Sequence, residues 1–175
     1  IYMENGRVQD ARREYEGLLK TDPNDGLALN NLAWIYAEAK DPRAVETAKQ
    51  AVQRMPGRAD VLDTLGFAQL QAGDPSAAVA TLAEAVKTGT KDPSIRYRLA
   101  VAYEANRQPK DAADALRELL RAPGEFPKRA EAEQMLARLV YSVGEAPLLG
   151  AQPGVPQQLA HPQNPVHRRA DLVTH

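Results

Sequence analysis

The sequence predicts an all-α solenoid, a row of antiparallel helix pairs closed by one further helix and followed by a disordered tail. Three observations predict it. Ala11, Ala44, Ala78 and Ala112 recur at spacings of 33, 34 and 34 residues, each opening the second helix of a repeating unit. Leu32-Ala33, Leu65-Gly66 and Leu99-Ala100 recur in step with them and mark the first helix. Short breakers punctuate the pattern at Asn5-Gly6, Asp41-Pro42, Gly73-Asp74-Pro75 and Gln108-Pro109. A period of this length, with small residues where helices must touch, is the signature of stacked helical hairpins.

Taken in order, residues 1–25 form a partial unit, and three full units follow at 26–58, 59–92 and 93–126. In each first helix the small residue lets two backbones approach. Three residues later comes Tyr36, Gln69 or Tyr103, with Tyr2 holding that place in the partial unit. The second helices carry Ala11/Tyr15/Leu18, Ala44/Ala48/Ala51, Ala78/Leu82/Ala85 and Ala112/Leu116/Leu119. Spacings of four and three place each trio on one helix face. Proline at the breakers suits the first turn of a helix, where its missing N–H is not needed. Asp22-Pro23, Met55-Pro56, Gly89 and Gly124 end successive units. The unit at 26–58 is one residue short, a loss the alignment places at the turn around Lys40. Gln69 stands where an aromatic is expected and Ala48 where a bulky residue is, which predicts looser packing.

Residues 127–142 form the closing helix, with an apolar stripe of Ala130, Ala132, Met135, Leu136 and Leu139 flanked by Lys128, Arg129, Glu131, Glu133 and Arg138. A solenoid exposes apolar surface at its end, and a helix with a polar outer face covers it. Docking of this helix to another protein is the alternative. Residues 143–175 hold five prolines and all three histidines and show no helical period. Such a segment cannot bury enough apolar surface to offset chain entropy. Its histidines lie six and eight residues apart without ordered neighbours, so no metal site is predicted there. A short linear motif is the other reading of the tail.

The residues just quoted resemble the tetratricopeptide repeat from residue 1 to about 126. That resemblance implies a right-handed superhelix whose first helices line a concave groove. It implies that Asn30, Trp34 and Glu38 face inward from one unit, Asp63, Phe67, Leu70 and Gln71 from the next, and Tyr97, Val101 and Glu104 from the third. Trp34, Phe67 and Val101 would form an equally spaced apolar row, floored further by Tyr97 and Leu70 and edged by Asn30, Asp63 and Glu104. The same row could simply pack helix against helix. Relatives that clamp a C-terminal carboxylate do so with basic groove residues. The matching positions here are Asn30, Trp34, Asp60 and Thr64, with no basic residue, so a carboxylate would meet Asp63 and Glu104.

Composition narrows the classes of function. Of 175 residues, 43% are hydrophobic and 26% charged, and 22 Lys and Arg balance 23 Asp and Glu. That suits a folded, helix-rich protein. No basic stripe of the kind nucleic acids require is present, and no apolar run approaches the ~20 residues that span a bilayer. No cysteine exists, so thiolate sites and disulfides are excluded. The repeat region holds no histidine, and its serines (Ser76, Ser94, Ser142) lie at predicted helix ends. Serine and cysteine nucleophile arrangements are therefore unavailable, and no phosphate loop or dinucleotide fingerprint appears. Asp60/Asp63 and Asp111/Asp114 read as first-turn acids favoured by the helix dipole. The expectation is a non-enzyme without metal or cofactor that binds a protein or peptide.

The wording of the units is narrower still. NNLAWIYAEAKDPRAVETAKQAV, ADVLDTLGFAQLQAGDPSAAVATLAEAV, PSIRYRLAVAYEANRQPKDAADALRELL and FPKRAEAEQMLARL resemble the C-terminal end of large bacterial lipoproteins of the PEP-CTERM/exosortase system. The resemblance covers residues 1–140 and implies a periplasmic or outer-membrane-anchored scaffold in exopolysaccharide or protein export, with a cytoplasmic setting as the alternative. The chain opens at Ile1 inside a repeat and reads as the C-terminal piece of a longer protein. A recruiting arm of an enzyme whose catalytic domain lies upstream, or a plain spacer, are the rival roles. Tyr2, Tyr15 and Leu18 on the open first unit would favour self-association of the fragment.

Overall fold

A computed structural model describes residues 7–122 and 126–142. The tail, Tyr2, Asn5-Gly6 and Gly124 lie outside the described residues. Eight α-helices follow in order: α1 Val8–Thr21, α2 Gly26–Glu38, α3 Ala44–Arg54, α4 Ala59–Gln71, α5 Pro75–Lys87, α6 Pro93–Ala105, α7 Pro109–Arg121 and α8 Arg129–Ser142. No strand occurs among the described residues. The all-helical solenoid expected from the period is what forms.

Each helix packs on its neighbours in sequence, and α2 also touches α4 and α4 touches α6. The second helices α3, α5 and α7 make no comparable approach to one another. The first helices therefore crowd into an inner row while the second helices splay outward. Within each hairpin, a small residue on the first helix lets the second helix pack closely. Ala33, Gly66 and Ala100 are buried and small, and a β-carbon added at Gly66 would overlap Leu82 Cγ.

Three helices, α2, α5 and α6, start where a short acid caps them. Asp25 accepts from the N–H groups of Leu27 at 2.9 Å and Ala28 at 3.0 Å. Asp74 and Asp92 cap α5 and α6 in the same way, each followed by proline. A side-chain oxygen here satisfies N–H groups that the helix leaves free. Asp25→Ala should lower stability by about 1 kcal/mol, checked by urea denaturation. An unchanged midpoint would mean that packing alone sets where α2 begins.

The missing residue of the 26–58 unit is not at Lys40. Lys40 keeps the left-handed turn, with φ 52°, that Gly73 (φ 80°) and Arg107 (φ 59°) adopt in the other units. The same turn bond recurs too: Asp41, Asp74 and Gln108 N–H donate to the carbonyls of Tyr36, Gln69 and Tyr103. The loss falls one step later. Ala44 N–H donates to Asp41 O, three residues back, whereas Ala78 and Ala112 reach Asp74 and Gln108, four back. The first turn of α3 is thus tightened, and its helix begins at Ala44 itself. A shallow hollow lies against it, lined by Ala37, Pro42, Val45 and Ala68 among others. Ala48, expected to loosen the unit, is fully buried with Ala33 and Tyr36. Gln69 is buried in the aromatic position, and no protein donor reaches its Oε1.

The α1–α2–α3 junction is tied by one polar cluster. Tyr36 donates its hydroxyl to Glu16 Oε1 at 2.9 Å, and the Arg43 guanidinium lies 4.1 Å over the Tyr36 ring. Arg43 also pairs with Asp41 at 2.7 Å, which holds that carboxyl down at about 2.

Candidate functional site

The inner row of α2, α4 and α6 presents the candidate surface. Its centre is the pair Trp34 and Phe67, one from α2 and one from α4, with ring centroids 4.6 Å apart and planes 29° from parallel. Both are half-buried. Stacking of this kind adds roughly 0.5–1.5 kcal/mol to the burial itself. The row thus serves helix packing and still leaves ring surface in the groove.

Arg98, on α6, lies across this pair. Its guanidinium carbon is 5.0 Å from the Trp34 ring centroid and 5.1 Å from that of Phe67. It also forms an ion pair with Asp63 of α4. The side chains of Asp63 and Arg98 are only 14% and 19% exposed. Burial raises the Asp63 carboxyl above its ordinary range, and the attraction of Arg98 offsets this only in part. Asp63 Oδ1 and Asn30 Oδ1 are buried with no protein donor in reach.

The groove therefore holds a cation, Arg98, although Asn30, Trp34, Asp60 and Thr64 include no basic residue. Arg98 follows Tyr97 directly and reaches back over α4 to α2. Asp63 is likewise not a first-turn acid: α4 begins at Ala59, and Asp63 lies in the second turn, where it faces Arg98. Asp111 keeps the first-turn role in α7, while Asp114 pairs with Arg117 at 2.7 Å.

The remaining expected groove residues divide. Tyr97, Val101 and Glu104 turn toward the closing helix. Tyr97 and Val101 pack against the cluster that holds Met135 and Leu139 of α8. Tyr97 donates to Glu131 Oε2 at 3.3 Å, and Arg138 donates to Glu104 Oε1 at 2.7 Å. Burial and Glu131 both push the Tyr97 hydroxyl up. Leu70 packs into the cluster around Leu82 and Leu99. Gln71 is exposed at the end of α4, one turn after Phe67, and lines the hollow beside Pro42. Glu38 is exposed at the end of α2.

The closing helix carries Ala132, Met135 and Leu139 inward with Leu136 beside them. Ala130, expected in that stripe, is exposed, while Ala132 of the same turn is buried against α7.

Two surface residues escaped the sequence reading. Leu27 is 57% exposed one turn before Asn30 and two before Trp34. Arg98 is the other. A usable signal existed for it: Tyr97–Glu131 and Glu104–Arg138 lie 34 residues apart, and Asp63–Arg98 lie 35 apart. Complementary groups about one repeat apart are what adjacent first helices bring together.

Among the described residues no group of His, Cys, Asp and Glu could hold a metal ion, and no helix is long and apolar enough to cross a membrane.

Comparison with known proteins agrees with this geometry. A family model described as tetratricopeptide repeat matches residues 1–59 and 64–130. A crystal structure of MamA is 25% identical, covers 82% of this chain and 87% of its own, and superposes with a TM-score of 0.69. The thermophilic repeat protein TTC0263 of Thermus thermophilus is 22% identical over 79% of this chain and 76% of its own, with a TM-score of 0.64. An O-GlcNAc transferase of Thermobaculum terrenum is 22% identical over 66% of this chain but only 23% of its own, with a TM-score of 0.62. These last two likenesses carry the fold alone. Among curated proteins, uncharacterized protein ycf37 of Pyropia yezoensis is 47% identical over 47 residues, which span 27% of this chain and about a quarter of that protein.

Proposed function

We propose, from the premise that this chain belongs to the tetratricopeptide repeat family, that it is a non-catalytic scaffold holding a peptide or partner helix on the inner face of α2, α4 and α6. One observation carries the reading: the Trp34–Phe67 pair sits at the middle of that face with exposed Leu27 on its flank. Large aromatic surface in a half-desolvated groove is where binding energy concentrates. Asn30, Trp34, Asp63 and Phe67 are the contact group. Tyr97, Val101 and Glu104 are shared with α8, so the closing helix ends the groove as well as the core.

The setting we propose is the bacterial envelope, periplasmic or anchored at the outer membrane, in polysaccharide or protein export. Its support is the resemblance of the unit sequences to lipoproteins of the PEP-CTERM/exosortase system. Trp34→Ala should weaken partner binding by at least ~2 kcal/mol while circular dichroism shows the helices intact. The test is a crosslinking pull-down from the source cells with the chain and with Trp34→Ala/Phe67→Ala. Partners lost in the double variant support the groove, and partners retained by it move binding elsewhere. Export-machinery partners support the setting, and cytoplasmic ones overturn it while leaving the scaffold.

A further inference from the structure

The groove is charged, yet four of the carboxylates along it carry their own cations, while Glu38 at the end of α2 stands exposed. Asp63 pairs with Arg98, Glu104 with Arg138 at 2.7 Å, Glu131 with Lys128 at 2.8 Å and Asp60 with Arg58 at 2.6 Å. Two of these pairs join separate helices: Arg98 of α6 serves Asp63 of α4, and Arg138 of α8 serves Glu104 of α6. The innermost pair is also the least exposed, and Arg98 spreads its charge over two aromatic faces. Partial desolvation magnifies what a third charge would feel there. A partner carboxylate would meet Asp63 beside the cation on the aromatic pair, which Asp63 already engages. A partner ammonium would meet Arg98. At the aromatic pair neither finds a countercharge to spare, and desolvating it there goes uncompensated.

We infer that the groove takes an extended segment that is uncharged where it crosses Trp34 and Phe67, built of apolar and carboxamide residues without Lys, Arg, Asp or Glu at that point. This deepens the scaffold reading and rests on it. Exposed Leu27 and the ring faces supply the apolar contact. The partly exposed Arg98 guanidinium has N–H donors beyond the one that Asp63 takes, which an amide oxygen can accept without bringing a net charge. Specificity comes from exclusion as much as attraction.

The test is a random peptide library displayed on phage, selected on the full chain and on Asp63→Asn, Arg98→Gln and the double variant. Trp34→Ala/Phe67→Ala serves as the groove control. Selected peptides should lose binding to the control, lack charged residues at their centre and keep their affinity within about twofold from low to high salt. Asp63→Asn should enrich Asp and Glu, and Arg98→Gln should enrich Lys and Arg, each by about tenfold in affinity over the uncharged peptide. The double variant restores neutrality and should select as the parent does, which separates charge from damage to the fold. If Arg98→Gln fails to fold, Asp63→Asn and the double variant still decide. Peptides that need the aromatic pair but carry a central charge would overturn the inference and leave the groove standing. Peptides indifferent to the aromatic pair, or none at all, would overturn the groove itself.

Discussion

Arg98→Met should destabilise the protein by about 3–5 kcal/mol at neutral pH, because it removes one partner of a buried ion pair and leaves the other. Asp63 is 14% exposed, and Arg98 supplies its ion-pair contact. Its second oxygen is buried and already without a protein donor. The variant would therefore strand a carboxylate with no donor at all. Methionine keeps much of the length that covers Trp34 and Phe67, so the loss reports charge more than packing.

The same variant carries a pH signature. Burial already raises the Asp63 carboxyl in the parent, and the nearby guanidinium opposes that rise. Without Arg98 the rise is larger. A carboxyl whose folded pKa lies above its unfolded value binds its proton more tightly in the folded state. Its penalty is therefore absent below the ordinary aspartate range and grows as pH rises toward the folded value. Acidification should thus narrow the gap between Arg98→Met and the parent, and it should begin to do so at a higher pH than Asp63 titrates in the parent. Urea denaturation of both proteins at neutral and mildly acidic pH measures it. A gap that does not move with pH would show that Asp63 is not the stranded group.

Leu82→Ala should cost about 2–5 kcal/mol, toward the upper part of that range. Leu82 is fully buried in the cluster that joins the third and fourth units, with Leu62, Ile95 and Leu99 around it. Directly opposite is Gly66, which has no side chain to move into the space. The cavity would persist, and cavity volume is what separates a costly truncation from a mild one. Gly66→Ala alone should also destabilise, since its β-carbon would overlap Leu82 Cγ. Overpacking costs roughly 1–3 kcal/mol, set against about 1 kcal/mol gained by replacing glycine within a helix. In the Leu82→Ala background the same alanine has room. Gly66→Ala should then stabilise, so the two changes are non-additive by more than ~1 kcal/mol. Simple additivity in urea denaturation would mean that α4 and α5 do not meet through this pair.

Most of the architecture was legible because it is periodic. Leu32-Ala33, Leu65-Gly66 and Leu99-Ala100 repeat one packing solution, and the breakers repeat one turn. Local rules are enough to read such a pattern. The short 26–58 unit was visible in the count, but the site of the loss was not. Hydrogen bonding to Asp41 decides that, since a turn and a helix start can each absorb a missing residue. The candidate groove was legible in part for the same reason: Trp34 and Phe67 hold equivalent places in adjacent units, and neighbours in a stack must meet.

What the sequence determined by itself is the set of helices, their order and the face each buries, because helix period, capping acids and small residues act over a few residues of chain. What only the tertiary structure decided is the chemistry of the inner face. Arg98 was one arginine among many until α2, α4 and α6 stood side by side, which laid it over two aromatic rings and against Asp63. Tyr97 and Glu104 were open groove residues until α8 closed on them. Charge pairing and desolvation depend on distances between helices, which exist only once the helices have packed.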